Sequence, residues 1–279
     1  NDAAQISVQY AKDIKLGIAN FDTMNPLITN NKEVININKL IFEPLFTLDE
    51  QNKLTPCLVS EFAKIDETTY LVKINNTIQW SNGEKITASD VIYTVEKLKK
   101  LDSIYSVNVQ NIKLIEEIDE STIKIQINNE EPFFEYNLIF PIIKEQDSEN
   151  LIGTGILKIS SINQNSMILE KNSNWRNPEN QTLICENVYI YLFETMGEVY
   201  NSFKIGNIDF ISTSSTEYTN YIGTIGYYAK EYKGRNVDFI SINCSDSILS
   251  EKSVRKAISY VIDKNNIISN VYNNNYYVS

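Results

Sequence analysis

The sequence predicts an α/β protein that carries an α+β insertion, on three observations. Strand and helix patterns alternate in an N-terminal block and again after Gly153, the order from which helix-covered sheets are built. Between them, from about Thr47 to Asp147, the pattern is meander-like, with successive antiparallel strand candidates and one amphipathic helix. No internal repeat is visible, so neither a solenoid nor a propeller is indicated.

In the first block, Ile14, Leu16 and Ile18 alternate, so Asp13 to Ala19 reads as a strand. Val34 to Phe46 carries Ile37, Leu40, Ile41, Phe42 and Leu45 at helical spacing. In the middle block, Tyr70, Val72 and Ile74 alternate with Leu71 and Lys73, and Ile78 and Trp80 continue the period of two as a short strand. Ser81-Asn82-Gly83-Glu84 supplies turn chemistry. Thr87-Ala88-Ser89-Asp90 places a hydroxyl three residues before a carboxylate, a capping box that opens a helix with Val91, Ile92, Val95 and Leu98 on one face. Val109 to Glu117 and Thr122 to Asn128 read as a strand pair joined at Asp119-Glu120-Ser121, and Pro132 suits the first turn of a helix holding Phe133, Phe134 and Leu138.

In the third block, Ile156 to Ser160 and Ser166 to Glu170 form a hairpin pattern, and Val188 to Phe193 a strand. Thr195-Met196-Gly197-Glu198 opens a helix through Ile205, which Gly206 stops. Ile208 to Ser212 and Val237 to Asn243 read as strands, and Thr216 to Lys233 is Tyr-rich and ambiguous. Ser250 to Ile262 is a helix pattern, and Asp263 caps a second helix running to Val271.

Lys plus Arg number 25 against 36 Asp plus Glu, a net charge of −11. That balance argues against nucleic acid as a partner, because phosphates need basic side chains. No apolar run has the length needed to cross a bilayer, and no signal peptide is recognisable, so the expectation is a mature, exported form. Histidine is absent, which removes Ser-His and Cys-His pairs and the commonest metal ligand. Cys57, Cys185 and Cys244 lack metal spacing and read as small buried hydrophobes. No cofactor, catalytic residue or metal ligand is expected.

The Thr68–Lys97 stretch resembles the signature of the family 5 extracellular solute-binding proteins, the oligopeptide-, dipeptide- and nickel-binding receptors of ABC importers. Six further motifs follow in the family's order. They are Phe21 to Pro26 (with Asn25 where Asp is usual), Ile41-Phe42-Glu43-Pro44-Leu45, Gly153-Thr154-Gly155, Glu170 to Trp175, Phe239 to Asn243 and Val254 to Lys264. The resemblance implies a periplasmic-binding-protein-like lobe of type II. Residues 1–45 and 151–279 would form one discontinuous lobe and residues 46–150 an inserted domain packed on it. A second lobe of comparable size, usual in the family, is expected to be missing from this chain.

Such receptors clasp an extended peptide by main-chain hydrogen bonds between two closing lobes. By resemblance the ligand-binding edge of this lobe falls at Asn30, Asn31 and Lys32, residues that would also be ordinary in any exposed loop. Ser212, Thr213 and Ser214, and Phe239 with Ser241, are further candidates at strand ends. Gly153 and Gly155 read first as a tight turn, and Trp80 and Trp175 as core. The cluster Tyr218, Tyr221, Tyr227, Tyr228 and Tyr232 fits either a cleft lining or an interface loop, while Glu116-Glu117 and Glu130-Glu131 read as solvated faces. The expected function is extracellular peptide binding for an ABC importer, with a peptide ligand and membrane permease subunits as partners. The receptor would be monomeric, lipid-anchored outside the cytoplasmic membrane or periplasmic, and not an enzyme. Alternatives on the same fold are a nickel-chelate, oligosaccharide or signalling-peptide receptor, or a remnant acting as an interaction module.

Overall fold

The structure is a computed structural model that describes residues 12–145, 147, 151–176, 185–213, 226–230, 234, 237–272 and 276–278. It divides into two units, Asn1–Ser214 and Ser215–Ser279. In the first unit come β1 (Asp13–Ala19), α1 (Lys32–Ile41), the short strands β2 (Phe46–Leu48) and β3 (Leu54–Pro56), β4 (Val59–Lys64) and β5 (Thr69–Ile74). There follow α2 (Ala88–Leu98), α3 (Ser106–Val109), β6 (Ile112–Asp119), β7 (Thr122–Ile127) and a 3-10 turn at Phe134–Asn137. Then come β8 (Leu157–Ile162), β9 (Ser166–Lys171), β10 (Asn187–Phe193) and α4 (Met196–Lys204). The second unit holds α5 (Lys252–Val261) and α6 (Lys264–Asn270).

Two sheets organise the first unit. The mixed sheet has the order β1-β10-β9-β8. Its β1 and β10 run parallel, in register from Asp13↔Asn187 to Ala19↔Phe193, while β9 and β8 are antiparallel. Alternation along β1 divides its side chains between two helices. Ile18 lies in a core with Val34, Ile37 and Ile41 of α1, whereas Ala19 lies in a core with Val199 of α4 and Ile208. The second sheet, β4-β5-β7-β6, is antiparallel throughout. Val91, Val95 and Leu98 of α2 share its core with Val72, Ile74, Ile123 and Ile125.

One buried carboxylate ties α2 to its surroundings. Asp90 is 3% exposed. Its Oδ2 accepts from the Thr87 N–H at 2.9 Å and from Trp80 Nε1 at 3.2 Å, and its Oδ1 from the Glu145 N–H at 2.9 Å. The predicted turn closes beside it, with the Trp80 N–H on the Glu84 carbonyl and the Gly83 N–H on the Trp80 carbonyl, both at 2.8 Å.

Gly153-Thr154-Gly155 lies against the end of α1. A Cβ at Gly153 would stand 1.9 Å from the Ile41 carbonyl oxygen, and one at Gly155 2.3 Å from that of Leu40, so only glycine admits the approach. The Gly155 N–H donates to the Ile41 carbonyl and the Ser81 N–H to the Gly153 carbonyl, both at 2.8 Å. Asn172 Nδ2 donates to the Gly155 carbonyl at 2.8 Å, and Asn174 Nδ2 to the Ser81 carbonyl at 3.1 Å. This motif therefore joins α1, the Ser81 turn and the end of β9.

Several expectations are corrected. The helix expected over Val34 to Phe46 begins at Lys32 and ends at Ile41, and Phe42 is already extended (φ −115°) two residues before Pro44. Ile78 to Trp80 makes an isolated bridge, Gln79↔Lys85, and not a strand. Pro132 introduces a 3-10 turn instead of an α-helix, with Phe133 left-handed before it. Ile208 to Ser212 contributes one parallel bridge, Leu16↔Phe210. There the Asp209 carboxylate takes the Lys15 N–H at 2.9 Å, a place a ladder carbonyl would fill. Val237 to Asn243 forms no strand: no described segment pairs with it, and Val237 and Ile240 are each 67% exposed. The hairpin of β2 with β3, and β4, are additions that the sequence did not signal. Trp80 is fully buried, but Trp175 is only half-buried, with Nε1 directed at Glu43. Cys185 is buried, Cys57 half-buried and Cys244 exposed, so only the first matches the reading of all three as buried.

Candidate functional site

In sheets with parallel strands, ligands gather at the carboxyl ends, where loops and helix N-termini converge. Here β1 and β10 end side by side at Ala19 and Phe193, and the Asn20 N–H donates to the Phe193 carbonyl at 3.1 Å. The Leu16↔Phe210 bridge is parallel, so residues 211–213 run toward the same edge. Three loops therefore meet there: 20–31, 194–195 and 211–213.

The first loop is organised by Asp22. Its carboxylate accepts from the Thr23 N–H at 2.7 Å, the Thr29 hydroxyl at 2.7 Å and the Asn30 N–H at 2.8 Å. Burial works to raise its pKa, but those hydrogen bonds to the charged form outweigh it and hold the carboxyl below the ordinary aspartate range. Asn31 is the pivot between loop and helix. Its Oδ1 caps α1 by accepting from the Glu33 N–H at 3.0 Å and the Val34 N–H at 3.3 Å. Its Nδ2 donates to the carbonyls of Ala19 at 2.8 Å and Asn20 at 2.9 Å.

The second loop starts α4 with a capping box. The Thr195 hydroxyl accepts from the Glu198 N–H at 3.3 Å, while the Glu198 carboxylate takes the Thr195 N–H at 3.4 Å and the Glu194 N–H at 3.0 Å. Tyr200, one turn into α4, shares a 2.8 Å hydroxyl hydrogen bond with Thr213, anchoring the third loop. Two helices thus begin at this edge, and their dipoles place partial positive charge there beside Lys32.

Of the residues singled out from sequence, Asn30, Asn31, Lys32, Ser212 and Thr213 come to this one edge. Asn30, Lys32 and Ser212 are exposed there, whereas the amide of Asn31 is committed to the cap and the strand ends. Ser214 lies outside the described residues, as do Tyr218, Tyr221 and Tyr232. Phe239 and Ser241 belong to the second unit, where both are exposed, Phe239 by 80%. Asp22 and Tyr200 were not singled out. The signal for Asp22 was weak, an acid eight residues before an Asn in a polar loop. Tyr200 carried none, because its partner is thirteen residues away. Amides, hydroxyls and one ammonium at a sheet edge can hydrogen-bond a polar ligand. They supply no activated nucleophile. Among the described residues no helix is long and apolar enough to cross a membrane.

The family model for bacterial extracellular solute-binding proteins, family 5 (middle region), matches residues 53–279. A Haemophilus influenzae protein named only as a binding protein is 22% identical over 281 residues, covering 93% of this chain and 51% of its own length. Among solved structures, the oligopeptide-binding protein AppA of Bacillus subtilis, in complex with a nonapeptide, superposes with a TM-score of 0.67 at 18% identity. It covers 97% of this chain and 57% of its own. NikZ of Campylobacter jejuni, in complex with Ni(L-His), gives the same TM-score at 22% identity, covering 96% and 57%. The chain thus spans about half the length of these relatives.

Proposed function

The chain belongs to family 5 of the bacterial extracellular solute-binding proteins, and from that membership we propose that it serves as the ligand-binding component of an ABC importer for oligopeptides. In this reading, the edge at the carboxyl ends of β1 and β10 holds an extended peptide against a second lobe. Asn30, Lys32, Ser212, Thr213 and Ser214 would contact it, with Asn31, Asp22 and Tyr200 positioning the loops. Residues 1–45 and 151–279 would form this lobe, residues 46–150 its inserted domain, and Phe239 with Ser241 a further wall. The receptor would act as a monomer outside the cytoplasmic membrane, lipid-anchored or periplasmic, and deliver peptide to permease subunits. It would carry out no catalysis.

The observation that carries this reading is the convergence of separately encoded polar loops on one sheet edge, without reactive groups. Such an edge suits a ligand recognised through its main chain, whatever its side chains. The nonapeptide in the Bacillus relative supports the peptide class. Affinity is assigned to the two-lobed receptor, since a ligand bridging both lobes is what stabilises the closed state.

Calorimetry on a receptor containing this sequence tests the proposal, with short peptides of mixed sequence set against a nickel–histidine chelate and an oligosaccharide. Peptides should bind, and Lys32→Ala should weaken them several-fold, while residues 1–279 alone should bind weakly or not at all. Binding of the chelate or the sugar with indifference to peptides would overturn it.

A further inference from the structure

A corner of the antiparallel sheet region presents side chains that its fold does not use. Phe133 has φ +61° and ψ +37°, the left-handed region where a bulky residue crowds its own backbone. The residue is nevertheless 72% exposed. The next residue, Phe134, is fully buried, tilted against Tyr70 with ring centroids 4.7 Å apart. Folding thus gains burial from one ring and neither burial nor relaxed backbone from the other. A strained residue that the core does not need points to a role at the surface.

Phe133 does not stand alone. Tyr136, 38% exposed, meets it edge-on at 6.1 Å. On the adjoining α3 and the loop before it, Val107 is 68% exposed and Ile104 47%. The corner is held in shape by polar side chains. Asn108 Nδ2 donates to the Asn137 carbonyl at 3.0 Å. The Glu131 carboxylate accepts from Asn111 Nδ2 at 2.8 Å and Asn137 Nδ2 at 2.7 Å. An apolar patch already fixed in its binding shape loses little freedom on docking.

Its charge is mainly acidic. Glu130, Glu131 and Glu135 flank Phe133, and residues 125–143 contain no Lys or Arg. Residues 101–112 add Asp102 and no cation. Lys64 reaches the rim and pairs with Glu130 at 3.2 Å, with both side chains about half exposed, so Glu130 and Glu131 are already engaged. Aromatic rings beside carboxylates select a guanidinium or ammonium, which stacks on the ring and pairs with the acid. An anionic lipid surface would be repelled by the same rim.

We propose that the Phe133–Tyr136 corner docks a partner polypeptide segment that presents arginine or lysine beside an apolar side chain. The cation meets Glu135 and the ring faces, and the apolar group covers Phe133 and Val107. This surface goes beyond the peptide-receptor reading and does not depend on it, because it uses none of the residues at the β1–β10 edge.

The test titrates the isotope-labelled chain with a synthetic peptide of alternating leucine and arginine, and with its leucine–glutamate counterpart, while amide NMR shifts report where each lands. The cationic peptide should shift residues 104–108 and 130–137, more tightly at low salt. Phe133→Gly should weaken it ~tenfold, the scale of a lost anchor side chain, with Tm unchanged or raised because glycine takes the left-handed backbone freely. Tyr136→Ser should weaken it as well, which keeps the test open if the glycine variant misfolds. The proposal is overturned if neither peptide shifts this corner, if the acidic peptide binds as well, or if Phe133→Gly binds undiminished. It is equally overturned if the corner proves instead to drive dimerisation of the chain or adsorption to phosphatidylglycerol vesicles.

Discussion

Three thiols of the same intrinsic chemistry sit in three environments. Burial, with the Glu43 carboxylate second, pushes Cys57 up to about 12, against the opposing pull of Arg176, whose Nη2 lies 3.4 Å from its sulfur. Cys185 is buried, and that burial raises its pKa too. Cys244 is exposed. Since the thiolate is the reactive form, a disulfide reagent at pH 8 should titrate one fast thiol in the folded chain. The fast phase should vanish in Cys244→Ser, and the other two thiols should react only in denaturant. A second fast thiol traced to Cys57 would contradict the burial argument. From sequence the three cysteines looked alike, because exposure depends on which neighbours arrive. The strand that would have covered Val237 to Asn243, just before Cys244, has no described partner. The same limit hid Asp22: an acid in a polar loop is unremarkable until Thr23, Thr29 and Asn30 are seen to converge on it.

Elements with a local cause were legible. The Thr87–Asp90 box predicted the start of α2, and Thr195–Glu198 that of α4, because a cap is satisfied within one turn of chain. The alternation of Tyr70, Val72 and Ile74 located β5, whose even-numbered residues are buried. What the box could not disclose is that Asp90 also receives Trp80 Nε1 and the Glu145 N–H. Truncating it orphans the buried Trp80 indole N–H and two part-buried backbone N–H groups, which costs more than a lost surface cap. Asp90→Ala should therefore lower stability by about 3 kcal/mol in urea unfolding, against about 1 kcal/mol for Thr87→Ala. Equal losses in the two variants would mean that Asp90 acts only as a cap. The misjudged elements share the opposite property. Ile208 to Ser212 and Val237 to Asn243 have strand composition, but a strand exists only where a second one supplies its hydrogen bonds.

At the scale of the molecule, the two units differ in how much they bury. The first contains three apolar cores. In the second, α5 and α6 have no buried residue, and Tyr260 and Val261 are 76% and 84% exposed. Local stability follows buried apolar contact. Hydrogen exchange should accordingly label residues 252–270 early and leave β5 and β7 protected longest; protection of α5 equal to that of β5 would contradict this reading. The helices themselves were legible. Asp263 caps α6 through the Asn266 N–H at 3.0 Å, and Arg255 closes onto the Leu249 and Ser250 carbonyls at 2.8 and 2.6 Å. Their exposure was not, since an amphipathic pattern states which face would be covered and not whether anything covers it.

By itself the sequence determined the strands and helices that have a local cause, where most helices start, and the family whose motifs recur in order. Those properties reside in periods of two and 3.6 residues and in caps that close within a few residues. Only the tertiary structure decided that β1 lies beside β10, that Gly153 and Gly155 press on α1, and that three separate loops share one edge. It alone showed that Phe133 stands in solvent while Phe134 is buried. Each of these is set by contacts between segments far apart in the chain, and residue periodicity carries no information about which distant segment will arrive.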